Sequence, residues 1–244
     1  MKRLLLLAAT AGVLFGWDLK QNDNPNALLN YDEAVAYCKE EPGWRLPTVR
    51  ELFRLVHDNS GQIQHKSHNY WSQTEFFPDH AMAWQVLNPD KDVKPIEKTK
   101  KLNALCVKDT PVKEDLRNRY ELKEHVIVDH KQDLYWQRID RKNRRNKYNH
   151  AAAANYCAAL ETDGLAWRLP TMKELFNIIE FNRFDPALDK EIFEYTYSKY
   201  YWTADQLTDY SNEAYVVGFK VGSVAQSSKI NESFVRCVAD GTKK

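Results

Sequence analysis

The sequence predicts an α+β protein made of two tandem copies of one small unit, each with two helices packed on a twisted antiparallel sheet and closed by one internal disulfide. Three observations carry this prediction. A ten-residue run occurs twice, four cysteines stand at matching places around it, and the residues that follow each run are patterned like strands.

The repeated run is Trp44-Arg45-Leu46-Pro47-Thr48-Val49-Arg50-Glu51-Leu52-Phe53 and Trp167-Arg168-Leu169-Pro170-Thr171-Met172-Lys173-Glu174-Leu175-Phe176. Eight of the ten positions are identical, and a ninth exchanges Arg50 for Lys173. Such self-similarity marks a duplicated structural unit. Upstream, Trp17, Asn30, Ala34, Tyr37 and Cys38 match Trp136, Asn149, Ala153, Tyr156 and Cys157 at one fixed offset. Downstream, Tyr70, Trp71, Ala83, Val86, Val93, Cys106 and Val107 match Tyr201, Trp202, Ala214, Val217, Val224, Cys237 and Val238 at another. Four cysteines allow three pairings. The repeat makes Cys38–Cys106 and Cys157–Cys237 the simplest, one bridge inside each copy. Each would close a loop of roughly 70 to 80 residues, worth about 4–5 kcal/mol in the chain-entropy picture.

Asp32 to Glu40 reads as a helix, because Ala34, Val35, Tyr37 and Cys38 recur at helical spacing. Ala151 to Leu160 is its counterpart and is rich in alanine, a strong helix former. A second helix starts at Thr48 and again at Thr171, where Thr-x-x-Glu forms a capping box. Pro47 and Pro170 keep the preceding residue extended, which sharpens that start. Leu52, Phe53, Leu55 and Val56 supply the buried face in one copy, and Leu175, Phe176, Ile178 and Ile179 in the other. Strands are expected at Tyr201–Thr203, across Asn212–Gly222, and at Val224–Gln226 after a Gly222-Ser223 turn. Phe234 to Val238 is expected as the last strand, bearing Cys237. Val126–Val128 and Leu134–Arg138 flank Asp129–Asp133 as a hairpin ahead of the second copy. The first copy starts at Trp17 and lacks the first strand of that hairpin. The expected division is a leader at 1–16, a first copy at 17–109, a charged linker at 110–122 and a second copy at 123–240.

Charge is balanced, 35 Lys+Arg against 34 Asp+Glu, which argues against a nucleic-acid binder driven by net charge. The 7 Trp, 13 Tyr and 10 Phe suit small cores and sugar stacking alike. At the start, Lys2 and Arg3 precede an apolar run from Leu4 to Phe15. That run is too short for a bilayer, which needs about 20 residues. It has the pattern of a secretory signal peptide, cut after Gly16 or Ala11. An even cysteine count in an exported chain fits disulfides.

Trp-Arg-Leu-Pro-Thr-x-x-Glu-Leu, then Tyr70-Trp71-Ser72, then a closing Arg236-Cys237-Val238, together resemble the C-terminal domain family of the Legionella collagen-like protein. The second copy has Tyr201-Trp202-Thr203, and the first has Leu105 where the closing arginine is expected. The resemblance covers nearly all of the chain after the leader. It implies two tandem C-type-lectin-like domains in a bacterial periplasmic or surface setting. For the adhesin that names the family, it implies binding of sulfated polysaccharides.

Among candidate site residues, the shared Arg45/Arg168 and Glu51/Glu174 suit helix bracing better than a polar site. Trp44/Trp167 and Trp71/Trp202 suit a core better than sugar platforms. Trp84, replaced by Tyr215 in the second copy, suits a half-exposed aromatic. The strongest charge signal is the loop from Arg138 to Lys147, with six basic residues (Arg138, Arg141, Lys142, Arg144, Arg145, Lys147) and one acid, Asp140. Arginine forms bidentate hydrogen bonds to sulfates and phosphates, so these six residues with Trp84 and Tyr215 are the ligand-binding candidates. The first copy has Gln21-Asn22-Asp23-Asn24-Pro25 there, which assigns any such function to the second. Asn88-Pro89-Asp90 is only a fragment of a calcium loop, and no His or Cys pair has zinc spacing. No metal or cofactor is expected. No Gly-rich phosphate loop, Gly-x-Ser-x-Gly or His-Glu-x-x-His occurs, so no catalytic site is expected either.

The expected function is that of an exported bacterial lectin-like binding protein, partnered by an anionic polysaccharide or envelope component. The alternative is a periplasmic structural or protein-interaction subunit without glycan binding. Neither a nucleic-acid partner nor a transmembrane span is expected.

Overall fold

The computed structural model describes residues 18–21, 27–58, 63, 68–88, 90–108, 118–142, 144–207 and 212–241. The expected leader, Trp17 and residues 110–117 of the expected linker lie outside them. The protein is mixed α+β, mostly sheet with few helices. In the first half, β1 (Leu19–Gln21), α1 (Tyr31–Lys39), β2 (Trp44–Arg45) and α2 (Val49–His57) precede β3 (Asn69–Glu75), β4 (Met82–Leu87), β5 (Val93–Glu97) and β6 (Leu105–Lys108). Next come β7 (Tyr120–Leu122), β8 (Val126–Asp129), β9 (Leu134–Gln137), β10 (Lys147–Tyr148), α3 (His150–Ala158), β11 (Trp167–Arg168) and α4 (Met172–Asn177). The chain closes with β12 (Tyr200–Gln206), β13 (Glu213–Gly218), β14 (Ser223–Ser228), β15 (Ser233–Phe234) and β16 (Val238–Asp240).

Among the described residues all four α-helices begin at a polar cap. Asn30 and Asn149 accept from the backbone N–H groups of Glu33 and Ala152. The boxes at Thr48 and Thr171 form as the sequence predicts: the Glu51 N–H donates to Thr48 Oγ1, and the Thr48 N–H donates to Glu51 Oε2 at 2.7 Å. Thr171 and Glu174 repeat this, with the Thr171 N–H 2.6 Å from Glu174 Oε2. Each cap satisfies a donor that the first turn leaves without an intrahelical partner.

Strand pairing gives three sheets, ordered β1-β6-β2, β11-β16-β9-β8-β7, and β10-β15-β12-β13-β14-β5-β4-β3. The last runs through both halves of the chain and is joined where Val224 of β14 pairs with Val93 of β5. Beneath it one core gathers Leu52, Phe53 and Val56 of α2 with Leu175 and Phe176 of α4. Cys38–Cys106 and Cys157–Cys237 are both formed, each with a Cα–Cα distance of 5.5 Å. Each bridge lies in a separate smaller core beside a buried tryptophan, Trp71 or Trp202.

Several expectations are corrected by pairing partners that the sequence does not reveal. Phe234 to Val238 is not one strand. Phe234 pairs with Lys147 and Tyr201 in the large sheet, whereas Val238 pairs with Trp136 and Arg168 in the five-stranded one, so the chain crosses between sheets at Val235–Cys237. Leu19 pairs with Val107 as Trp136 pairs with Val238, which puts Leu19, not Trp17, in the register position of Trp136. Residues 120–122, expected in the linker, form β7 against β8. Buried Arg119 anchors that strand through two hydrogen bonds to Asp129, at 3.0 and 2.8 Å. The hairpin of β8 and β9 forms as predicted, and among the described residues β1 has β6 as its one strand neighbour.

Candidate functional site

The loop between β9 and β10 carries the predicted basic residues. Its turn is set by Asp140, whose Oδ1 accepts from the Lys142 N–H at 2.7 Å. The loop lies along residues 194–197, which are distant in sequence. Arg141 Nε donates to the Tyr195 hydroxyl at 3.3 Å, and the Arg144 guanidinium lies 5.7 Å from the centroid of the same ring. Arg145 Nε donates to the Tyr197 hydroxyl at 3.4 Å. The Lys147 ammonium lies 5.3 Å from the Phe234 ring, which packs on Tyr197 with centroids 5.2 Å apart. Arg138 is a brace, donating to the Lys123 carbonyl at 3.0 Å and to Glu194 at 3.2 Å. Arg141, Lys142, Arg145 and Lys147 are exposed, as is Tyr195, at 36% of its surface. Exposed cation–π contacts of this kind are worth about 0.5–1 kcal/mol each. Four cations, Arg141, Arg144, Arg145 and Lys147, therefore lie against the row of Tyr195, Tyr197 and Phe234, and Arg138 is paired with Glu194 beside it. The summed field favours an anion.

Tyr195 has a left-handed backbone, φ 56°. A bulky side chain pays about 1–3 kcal/mol for such a conformation and keeps it only where the surroundings hold it. Part of that hold comes from Arg236, which is fully buried. Its Nη2 donates to Thr196 Oγ1 at 2.6 Å and to the Glu194 carbonyl at 3.3 Å, and its Nη1 donates to the Gln137 carbonyl at 2.7 Å. Burial pulls the Arg236 guanidinium down to about 10.

The other candidates fall elsewhere. Trp84 is 1% exposed and Tyr215 7%, which corrects the expectation of a half-exposed aromatic. Trp84 is covered edge-on by Phe76 and Phe181, with centroids 5.7 and 5.1 Å away. The carbonyls of Trp84 and Tyr215 accept from Ser72 and Thr203, each at 2.9 Å. The Tyr-Trp-Ser and Tyr-Trp-Thr segments thus tie neighbouring strands together. Trp71 and Trp202 are core residues whose indole N–H groups donate to the carbonyls of Leu29 and Tyr148. Trp167 is buried and Trp44 half-buried. Arg45 grips Glu51 at 2.8 and 2.9 Å, and Arg168 grips Glu174 at 2.9 and 2.8 Å, so both pairs brace a capping box. Asp90 of the calcium-like fragment accepts from Gln226 Nε2 through its carbonyl, and Pro89 lies outside the described residues.

A cleft of about 360 Å³ lies between α2, α4 and the β8–β9 turn. Arg54, Lys131 and Lys173 line it, but Lys173 is held by Asp58, and Gln132 and Asn177 bond each other. This cleft reads as a braced junction. Among the described residues no cluster of His, Cys, Asp or Glu is placed to hold a metal ion, and no helix is long and apolar enough to cross a membrane.

Sequence reasoning located the loop and named Arg236 only as part of the closing motif, and it missed Tyr195 and Tyr197. One signal was present: the stretch from Phe176 to Tyr201 is longer than its counterpart from Phe53 to Tyr70, and the surplus is rich in aromatic residues. No curated protein matches the chain. Its second half, residues 125–239, matches the family model described as the Lcl C-terminal domain.

Proposed function

We propose that this chain is an exported bacterial binding protein of C-type-lectin-like fold in two tandem copies. Its second copy recognises an anionic glycan or envelope polysaccharide, and its role is binding rather than catalysis. The observation that carries this reading is the gathering of Arg141 and Arg144 on exposed Tyr195. An exposed ring offers a stacking face for a sugar, and guanidinium groups at its margin offer paired donors for sulfate or carboxylate. The match of residues 125–239 to the Lcl C-terminal domain covers this same copy. The test is a screen of the mature chain against sulfated, carboxylated and neutral glycans at two salt concentrations. Binding confined to anionic glycans and weakened by salt is the expected result. Binding to none of them overturns the proposal.

One observation favours the alternative, a protein-interaction subunit. Phe77 and Phe184 are 49% and 40% exposed, and Phe184 meets Phe76 edge-on. An apolar surface of that kind is a common partner site.

A further inference from the structure

We propose that Arg236 is the positioning residue of the loop–tyrosine surface and fixes Tyr195 from beneath. The inference rests on reading that surface as the binding site. Arg236 lies in the crossover between β15 and β16 and is fully buried. Its guanidinium holds both neighbours of Tyr195: the Glu194 carbonyl and the Thr196 hydroxyl each accept from Nη2. The group also lies 5.3 Å from the Phe193 ring. The left-handed Tyr195 is therefore clamped on both sides by one side chain. On the other flank, Arg138 ties Glu194 to the basic loop.

Two features set this residue apart from an ordinary core arginine. Among the described residues no carboxylate pairs with it, and its Nε–H has no acceptor. Its charge is spent on carbonyls and a hydroxyl and adds to the positive field below the surface. The first half makes the matching passage, from a bridge between Asn103 and Tyr70 into β6, but has Leu105 at the position of Arg236. Arg236, the basic loop and the Tyr195 segment are thus all particular to the second half, and the Tyr195 segment is held by the other two. Only a planar fork reaches Gln137 and Thr196 at once, which a lysine ammonium does not do.

The test compares the full chain with Arg236→Met, which keeps volume but removes the donors, and Arg236→Lys. The first readout is amide hydrogen exchange, and the second is affinity for dextran sulfate. The proposal expects Arg236→Met to speed exchange at residues 194–197 and leave the β13–β14 hairpin protected. It also expects at least tenfold weaker dextran sulfate binding, partly restored in Arg236→Lys. Thr196→Val, which removes the acceptor for Nη2 together with the hydroxyl's own bond to the Phe193 carbonyl, reproduces the local loosening if Arg236→Met does not fold. Unchanged exchange at 194–197 in Thr196→Val and Arg236→Met overturns the clamp, and faster exchange with unchanged affinity overturns the role of Arg236 in positioning the binding surface. If the wild-type chain binds no dextran sulfate, the site reading fails, and the exchange arm alone still decides whether Arg236 fixes Tyr195.

Discussion

Phe53 and Phe176 close the same ten-residue run in the two halves of the chain, and their rings stack on each other with centroids 4.0 Å apart. Val93 and Val224, also matched in sequence, pair across the joint between β5 and β14. Arg50 and Lys173 hold the same place in the run, and each reaches the end of the other's helix. Arg50 donates to the carbonyls of Phe176, Asn177 and Ile179, and Lys173 to the carboxylate of Asp58. Matched residues that meet each other, or serve each other reciprocally, are the mark of a two-fold contact. Phe53→Ala and Phe176→Ala should each destabilise the protein by about 3–5 kcal/mol. Because the rings share one contact, the double variant should cost less than the sum. Urea unfolding of the three variants measures this.

The disulfides close loops of 68 and 80 residues, each in its own small core. Replacing Cys157 and Cys237 together by alanine should cost about 2–5 kcal/mol. A urea midpoint that does not move relative to the wild type would contradict the structural role assigned to that bridge.

Acid should unfold the protein partly through Asp129. Burial pushes its carboxyl up, but hydrogen bonds from Arg119 and Gln132 outweigh burial and hold it below its ordinary value. A folded value below the unfolded one means that the stabilisation is present above about pH 4 and is lost as pH falls through the folded value. Asp129→Asn should cost about 3–5 kcal/mol at pH 7, since it strands a buried arginine. The variant should also lose less stability than the wild type on further acidification. Thermal unfolding from pH 7 to pH 2 reads both effects.

Asp92 should behave in the opposite sense. Burial pushes its carboxyl up to about 6, and its Oδ1 is buried without a hydrogen-bond partner. A folded value above the unfolded one makes the ionised form a cost that grows as pH rises from about 4 through about 6. Asp92→Asn should therefore stabilise by roughly 1–2 kcal/mol at pH 7.5 and by little at pH 4, as read from thermal unfolding at the two values.

What the sequence reveals about this fold is mostly local chemistry. The Thr48 and Thr171 boxes, the β8–β9 hairpin and the two bridges depend on residues whose spacing names their partners. The joint between β5 and β14 was hidden, because Val93 and Val224 look like ordinary strand residues and nothing in their neighbourhoods says that they pair. Trp84 was misjudged as half-exposed for a related reason: the rings that cover it, Phe76 and Phe181, include one from the other half. At the candidate site the charges were legible and their aromatic partners were not. The basic loop and Tyr195 are about 50 residues apart and meet only because β9, β10 and β12 converge.

Titration of dextran sulfate into the wild type and into the triple variant Arg141→Gln, Arg144→Gln, Arg145→Gln tests the central claim most directly. The variant should fold with wild-type stability, since surface substitutions rarely shift stability by more than about 0.5 kcal/mol. It should bind at least tenfold more weakly, with a shallower dependence on salt. Equal affinity and equal salt dependence in the two proteins would contradict the assignment of binding to the loop and Tyr195.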